Sequence, residues 1–115
     1  MPKKLNRVRL EKWVAGMNPD LRWAIIAAYE RETTIDFIYD SQGPGINVGG
    51  EKRAVHYSDL KFFECRLKNY GYVGKPSRIY FEYGEIFFYF LTERGKLLAK
   101  FLKLRSVTSY YRESK

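Results

Sequence analysis

Sulfur and imidazole are scarce in this chain. It has one cysteine, Cys65, and one histidine, His56. A lone cysteine excludes an intramolecular disulfide framework, and its plain reading is an unreactive helix thiol. One histidine and one cysteine supply too few ligands for a metal site. No Ser-His-Asp set can be argued from a single histidine. Long apolar runs are lacking as well. Ile86-Phe87-Phe88-Tyr89-Phe90-Leu91 falls far short of the roughly 20 residues that span a bilayer as helix. The N-terminus has charges but no apolar h-region and no small-residue cleavage site, so no signal peptide is expected. The expectation is an intracellular, cytoplasmic chain. Phosphate-cradling loops are missing too. Gly43, Gly45, Gly49 and Gly50 lack the strand context and the Lys-Ser/Thr ending of a nucleotide loop. Glu30, Glu32, Asp36 and Asp40 cluster in sequence, and a solvated acidic face accounts for them. No cofactor and no enzymatic activity are therefore expected. The single glutamine, Gln42, set against many Lys, Arg and Tyr, points to a thermophilic source.

Apolar and aromatic residues are plentiful. The chain has 115 residues, 45% hydrophobic and 17% aromatic, enough for one domain around one core. The formal net charge of +8 is unevenly spread. Residues 1–19 carry +4, residues 20–51 carry −4 and residues 52–78 carry +5. Residues 79–91 carry −2, and residues 92–115 carry +5. Positive charge thus gathers at both ends and in the 52–78 segment. That distribution suits a polyanion, because each phosphate contact releases counterions.

Hydrophobic spacing predicts a short basic helix within 1–17, carrying Leu5, Val8, Leu10, Trp13, Val14 and Met17. Asn18-Pro19-Asp20 predicts a helix start, and the helix should run to about Arg31 with Leu21, Ala24, Ile25, Ala28 and Tyr29 on one stripe. Thr33 or Thr34 is expected to cap a short helix from Ile35 to about Tyr39. The glycine-rich stretch 41–53 reads as an irregular loop. Ser58 is expected to cap a helix over 59–70, with Tyr57 and Phe62 in the places of a hydrophobic staple. Leu60, Phe63, Leu67 and Tyr70 form its core face, and Gly71 ends it. Residues 78–83 and 86–91 read as strands around a Gly84-Glu85 turn. Ile79, Phe81, Phe88 and Phe90 are expected on the core face of that hairpin. Tyr80, Glu82, Phe87 and Tyr89 are expected on the other. Thr92 should cap a last helix over 92–105, with Leu97, Leu98, Phe101 and Leu102 as its stripe. Residues 106–115 read as a flexible basic tail.

Two segments carry a family resemblance. Arg66-Leu67-Lys68-Asn69-Tyr70-Gly71-Tyr72-Val73 resembles the helix end of winged helix-turn-helix proteins. Phe90-Leu91-Thr92-Glu93-Arg94-Gly95-Lys96-Leu97-Leu98 resembles their strand-to-helix signature, LTxxGxxL. Together with the hairpin between them they cover about 58–103. The likeness is to small prokaryotic and archaeal regulators of the MarR, ArsR and PadR kinds. It implies an α+β winged helix-turn-helix with a two-stranded wing and extra terminal helices, in one domain over 1–115. It also implies sequence-specific double-stranded DNA binding and transcriptional regulation, with helix 58–70 in the major groove. Two features depart from the family. A glycine-rich stretch separates the proposed helix pair where a tight turn is usual. The wing tip, Glu82-Tyr83-Gly84-Glu85, is acidic and should be repelled by phosphate.

The expected DNA contacts are Arg53, His56, Tyr57, Ser58, Lys61, Phe62 and Lys68, with Lys75 and Arg78 at the base of the wing. Lys3, Lys4, Arg7 and Arg9, together with the C-terminal tail, would add phosphate contacts. A homodimer is expected through the N-terminal helix 5–17 or the last helix. Two other uses stay open. One is a winged helix that contacts protein, suggested by the acidic wing and the hairpin aromatics. The other is a single-strand or RNA binder that stacks bases on Phe87 and Tyr89.

Overall fold

The structure, a computed structural model, describes the backbone of residues 7–113 and side chains as far as Arg105. Within it the chain is an α+β domain. Helices α1 (Arg7–Ala15) and α2 (Pro19–Glu30) come first. Strands β1 (Ile35–Asp40), β2 (Gly45–Val48) and β3 (Glu51–Ala54) follow. Then come α3 (Tyr57–Asn69), the hairpin β4 (Ser77–Phe81) and β5 (Gly84–Tyr89), and α4 (Glu93–Glu113). All strands join one antiparallel sheet in the order β3-β2-β1-β5-β4.

The helices cover one face of this sheet. Ile35, Phe37 and Tyr39 on β1, Ile46 and Val48 on β2, and Tyr89 on β5 are buried beneath them. Leu21, Ala24, Ile25 and Ala28 of α2 meet that layer as their helical spacing predicts. Leu60, Phe63 and Leu67 of α3 do the same, as do Leu98 and Leu102 of α4. Burying a leucine or isoleucine contributes about 1.5–3 kcal/mol, so this one layer supplies most of the hydrophobic stabilisation. Trp13 of α1 stacks on Tyr72 with ring centroids 5.8 Å apart. Arg105 reaches Glu11 at 2.6 Å and Lys103 reaches Glu30 at 3.6 Å, so α4 is tied to both α1 and α2.

Several expectations are corrected. The expected helix over 35–39 is strand β1. Its sequence alternates, with Ile35, Phe37 and Tyr39 on one side and Asp36, Ile38 and Asp40 on the other. A period of two fits a pleat and cannot make a helical stripe. The stretch 41–53, expected as irregular, holds the β2–β3 hairpin. Gly49 (φ 58°) and Gly50 (φ 88°) form its two-residue turn, in the left-handed region that glycine enters without cost. The wing turn lies at Glu82-Tyr83, not Gly84-Glu85, because Phe81 pairs with Gly84. Gly84 is needed elsewhere: it faces Asp40 in the ladder with β1, and a Cβ there would strike the Tyr39 carbonyl oxygen.

The hairpin faces are also exchanged. Ile79, Phe81 and Phe88 do share a face, but it is the one without helices. Ile79 and Phe81 are exposed there, as is Phe90 just beyond the strand. Tyr89 is fully buried and Phe87 packs against the core. Among the last-helix residues, Leu97 is exposed. The backbone of α4 continues to Glu113, past the expected end at 105. Lys3, Lys4 and Leu5 lie outside the described residues. No described helix is long and apolar enough to cross a membrane.

Candidate nucleic-acid interface

Helix α3 positions most of the expected contacts, and a buried carboxylate seats it. Glu64 faces the sheet from the middle of α3 and is buried. Tyr39 of β1 donates its hydroxyl to Glu64 Oε1 at 2.7 Å, and Tyr89 of β5 donates to Oε2. Lys61 Nζ lies 3.8 Å from Oε1 and sits over the Tyr39 ring. Burial pushes both tyrosines well above the ordinary value of 10.0, and the hydrogen bond to Glu64 adds to the rise. At neutral pH both hydroxyls are therefore protonated donors.

The helix begins two residues earlier than expected, at Tyr57 rather than Asp59. His56 is its N-cap, with Nδ1 accepting from the Ser58 backbone N–H at 3.3 Å. The Ser58 hydroxyl lies 2.8 Å from the same nitrogen. The expected cap Ser58 is thus inside the first turn. At the other end Gly71 (φ 72°) terminates the helix, as its sequence predicts. Thr92 Oγ1 donates to the Gly71 carbonyl at 2.6 Å and accepts from Gly95 N–H at 3.1 Å, so one side chain both caps α4 and anchors the end of α3.

With α3 seated this way, Ser58, Lys61, Phe62, Cys65, Lys68 and Asn69 form one exposed face. Phe62 carries the Arg66 guanidinium 4.9 Å from its ring centroid. Tyr57 is half-exposed and leans on Tyr39. Helix α3 packs over β1 and β2, and the β5–β4 hairpin continues the sheet beyond β1. Arg78 points to the helix-bearing side, 4.4 Å from the Tyr80 ring and 5.6 Å from that of Phe87. Its Nε is 3.9 Å from Glu85. Lys75, at the base of the hairpin, is exposed. Lys61 and Arg78 are linked through two rings: Lys61 sits over Tyr39, Arg78 over Phe87, and the rings meet edge to face at 5.7 Å. Lys68 is exposed further along α3.

Arg53 does not join them. It sits on β3, across the sheet from the hairpin, stacked 4.2 Å over Trp23. Asp20 lies 3.6 Å away and Glu51 3.8 Å away, so its charge is matched by two carboxylates. Tyr80 was missed as a site residue: it is on the helix-bearing side and is exposed because β4 is an edge strand, which its sequence does not announce. The hairpin tip is also held. The Ser41 N–H donates to the Tyr83 carbonyl at 3.1 Å, pinning the tip to the β1–β2 connection. No group of three or more His, Cys, Asp or Glu suited to a metal occurs among the described residues. Comparison with protein-family models, curated proteins and solved structures finds no match.

Proposed function

We propose that this chain binds double-stranded DNA and serves in transcriptional regulation, with α3 in the major groove. The continuous exposed face Ser58–Lys61–Phe62–Cys65–Lys68–Asn69, flanked by Lys75 and Arg78, carries this reading. A groove about 12 Å wide admits a helix that presents such a face. Lys61 and Lys68 would reach base edges or phosphates, while Lys75 and Arg78 would hold the backbone. The order α3, β4, β5, α4 supports a winged-helix reading of this half of the chain. The acidic, pinned tip would stay out of the minor groove, so only the base of the wing would touch DNA. The protein would act by binding alone, with no catalytic step.

Titrating labelled duplex and the same strand alone at two salt concentrations tests this. Duplex preference is expected, with an affinity that falls steeply with salt. Lys61→Ala and Lys68→Ala should each lower the salt slope by about 1. No binding to either polymer at low salt would overturn the proposal and favour a protein-contact module.

A second reading has its own observation. Tyr80 and Tyr83 are exposed on the hairpin, and Arg78 stacks on Tyr80. Single-strand binding would use these rings as a stacking platform. Preference for the single strand, lost on Tyr80→Ala, would select it. The originally expected stacking pair, Phe87 and Tyr89, is packed inward.

A further inference from the structure

The two edges of the sheet are built differently. Strand β3 reads Glu51-Lys52-Arg53-Ala54, with charge at consecutive positions. Charged side chains on an edge discourage another strand from adding to it. Strand β4 reads Ser77-Arg78-Ile79-Tyr80-Phe81, and all of it is exposed. It has no proline, no lysine and one charge. Ile79 is 54% exposed and Tyr80 64% exposed, at positions where β-branched and aromatic residues favour pairing. Its protection is thinner than that of β3: one charge, Arg78, against three.

We infer that β4 pairs antiparallel with β4 of a second copy of this chain, about a two-fold axis at Ile79. The inference does not depend on nucleic-acid binding. The sequence is self-complementary in that register. Ile79 meets the partner's Ile79, Arg78 meets the partner's Tyr80, and Ser77 meets the partner's Phe81. Guanidinium over phenol is a contact Arg78 already makes within its own strand, at 4.4 Å. Arg78 and Tyr80 share one side of the strand, and Glu82 opens the turn just beyond its end. In this register the turn of one copy, with Glu82, comes next to the strand start of the other, with Arg78, within reach of long side chains. The acidic tip of each hairpin comes beside the basic base of the other. In a chain of net charge +8, which otherwise repels itself, this is a local match of opposite sign.

The open face of the sheet continues the pattern. Ile38, Ile86 and Ile79 stand in register on β1, β5 and β4. Pairing at β4 extends this row through the partner's Ile79 and Ile86, and takes Ile79 out of water. The product is a ten-stranded sheet made of two five-stranded halves. A two-fold contact of this kind closes on itself and leaves only the two charged β3 edges free. Both α3 helices would then lie on the same side of the joined sheet.

Sedimentation equilibrium of the full chain over a range of concentrations tests the inference. Wild type should show a monomer–dimer equilibrium. Ile79→Lys sets two ammonium groups against each other at the axis and should weaken dimerisation by at least about tenfold, or 1.4 kcal/mol. Arg78→Glu should weaken it as well, and Glu82→Arg in the same chain should restore it, as coupled neighbours do. Circular dichroism on each variant checks folding. If Ile79→Lys fails to fold, the Arg78/Glu82 exchange decides alone. A wild-type chain that stays monomeric overturns the inference. So does a dimer indifferent to these changes, which would place the contact on the terminal helices, where Leu97 and Leu104 are exposed.

Discussion

Glu64→Ala should destabilise the fold by about 3 kcal/mol. The side chain is buried and accepts hydrogen bonds from two tyrosine hydroxyls on two neighbouring strands. Removing it orphans both donors, at about 1–3 kcal/mol each. Part of that is offset, because the cost of burying the carboxylate disappears with it. Glu64→Gln keeps the shape and one acceptor. Its amide can donate to the second phenol oxygen, so it should cost only about 1 kcal/mol, the charge-assisted part of the bonds. Tyr39→Phe and Tyr89→Phe should each cost about 1–2 kcal/mol. The triple variant Tyr39→Phe, Tyr89→Phe, Glu64→Met replaces the polar set by apolar groups of like volume. It should return to within about 1 kcal/mol of wild type. Urea denaturation at fixed pH reads all of these from the midpoint, provided the slope is unchanged. Equal losses for Glu64→Ala and Glu64→Gln, or a loss under about 1 kcal/mol for Glu64→Ala, would refute the hydrogen-bond argument.

Raised tyrosine pKa values give a signed pH dependence. Tyr39, Tyr72 and Tyr89 all lie above 10.0 in the folded chain, chiefly through burial. Their contribution is complete below pH 10 and is lost as pH climbs above it, by up to about 1.4 kcal/mol per pH unit per group. Tyr89→Phe should flatten that alkaline limb in urea titrations. Tyrosinate absorbance that rises for every tyrosine while near-ultraviolet dichroism stays native would contradict it. Arg53→Ala should cost only about 1 kcal/mol, since its ion pairs are over a third exposed and its other contact is the Trp23 ring. Duplex affinity should not change, in contrast to Lys68→Ala. Gly95→Ala should lower the melting temperature, because the new Cβ would meet the Tyr72 carbonyl oxygen. The loss of about 2–3 kcal/mol from overpacking outweighs the roughly 1 kcal/mol gained in helix propensity.

Helices were the legible part of the fold, because each carries its own start, stripe and stop. Asn18 accepts from the Asp20 N–H at 2.8 Å, as the Asn-Pro-Asp sequence implies. Thr92 caps α4 as its position implies, and Gly95 lets that first turn come close to the Tyr72 carbonyl. Strands were legible only where the run was long and aromatic. Ile35–Asp40 was overlooked because two threonines before it imitate a helix cap. Its alternation and the following Gly49-Gly50 pair were the signals that counted against a helix. The hairpin faces could not be chosen from sequence at all. Both are aromatic, so the choice rests on where α2, α3 and α4 come to lie. On the terminal helices expected to offer a dimer surface, Trp13 and Phe101 pack against the core, while Leu97 and Leu104 are exposed.

The exposed face of α3 was legible for the same local reason, but its orientation was not. Arg53 shows the limit: Glu51 is its neighbour on β3, but Trp23 and Asp20 come from α2, and only the fold brings that helix to it. Glu64 shows it more sharply. Its partners lie on β1 and β5, and nothing near Glu64 in sequence announces them. Successive residues on a helix are about 100° apart, so a slip of one position would turn a different set of side chains outward. Leu60, Phe63 and Leu67 resist that slip through packing, which tolerates small rotations. The two tyrosine hydroxyls resist it through direction, which does not. They therefore fix which residues look out of α3, Lys61 and Lys68 among them.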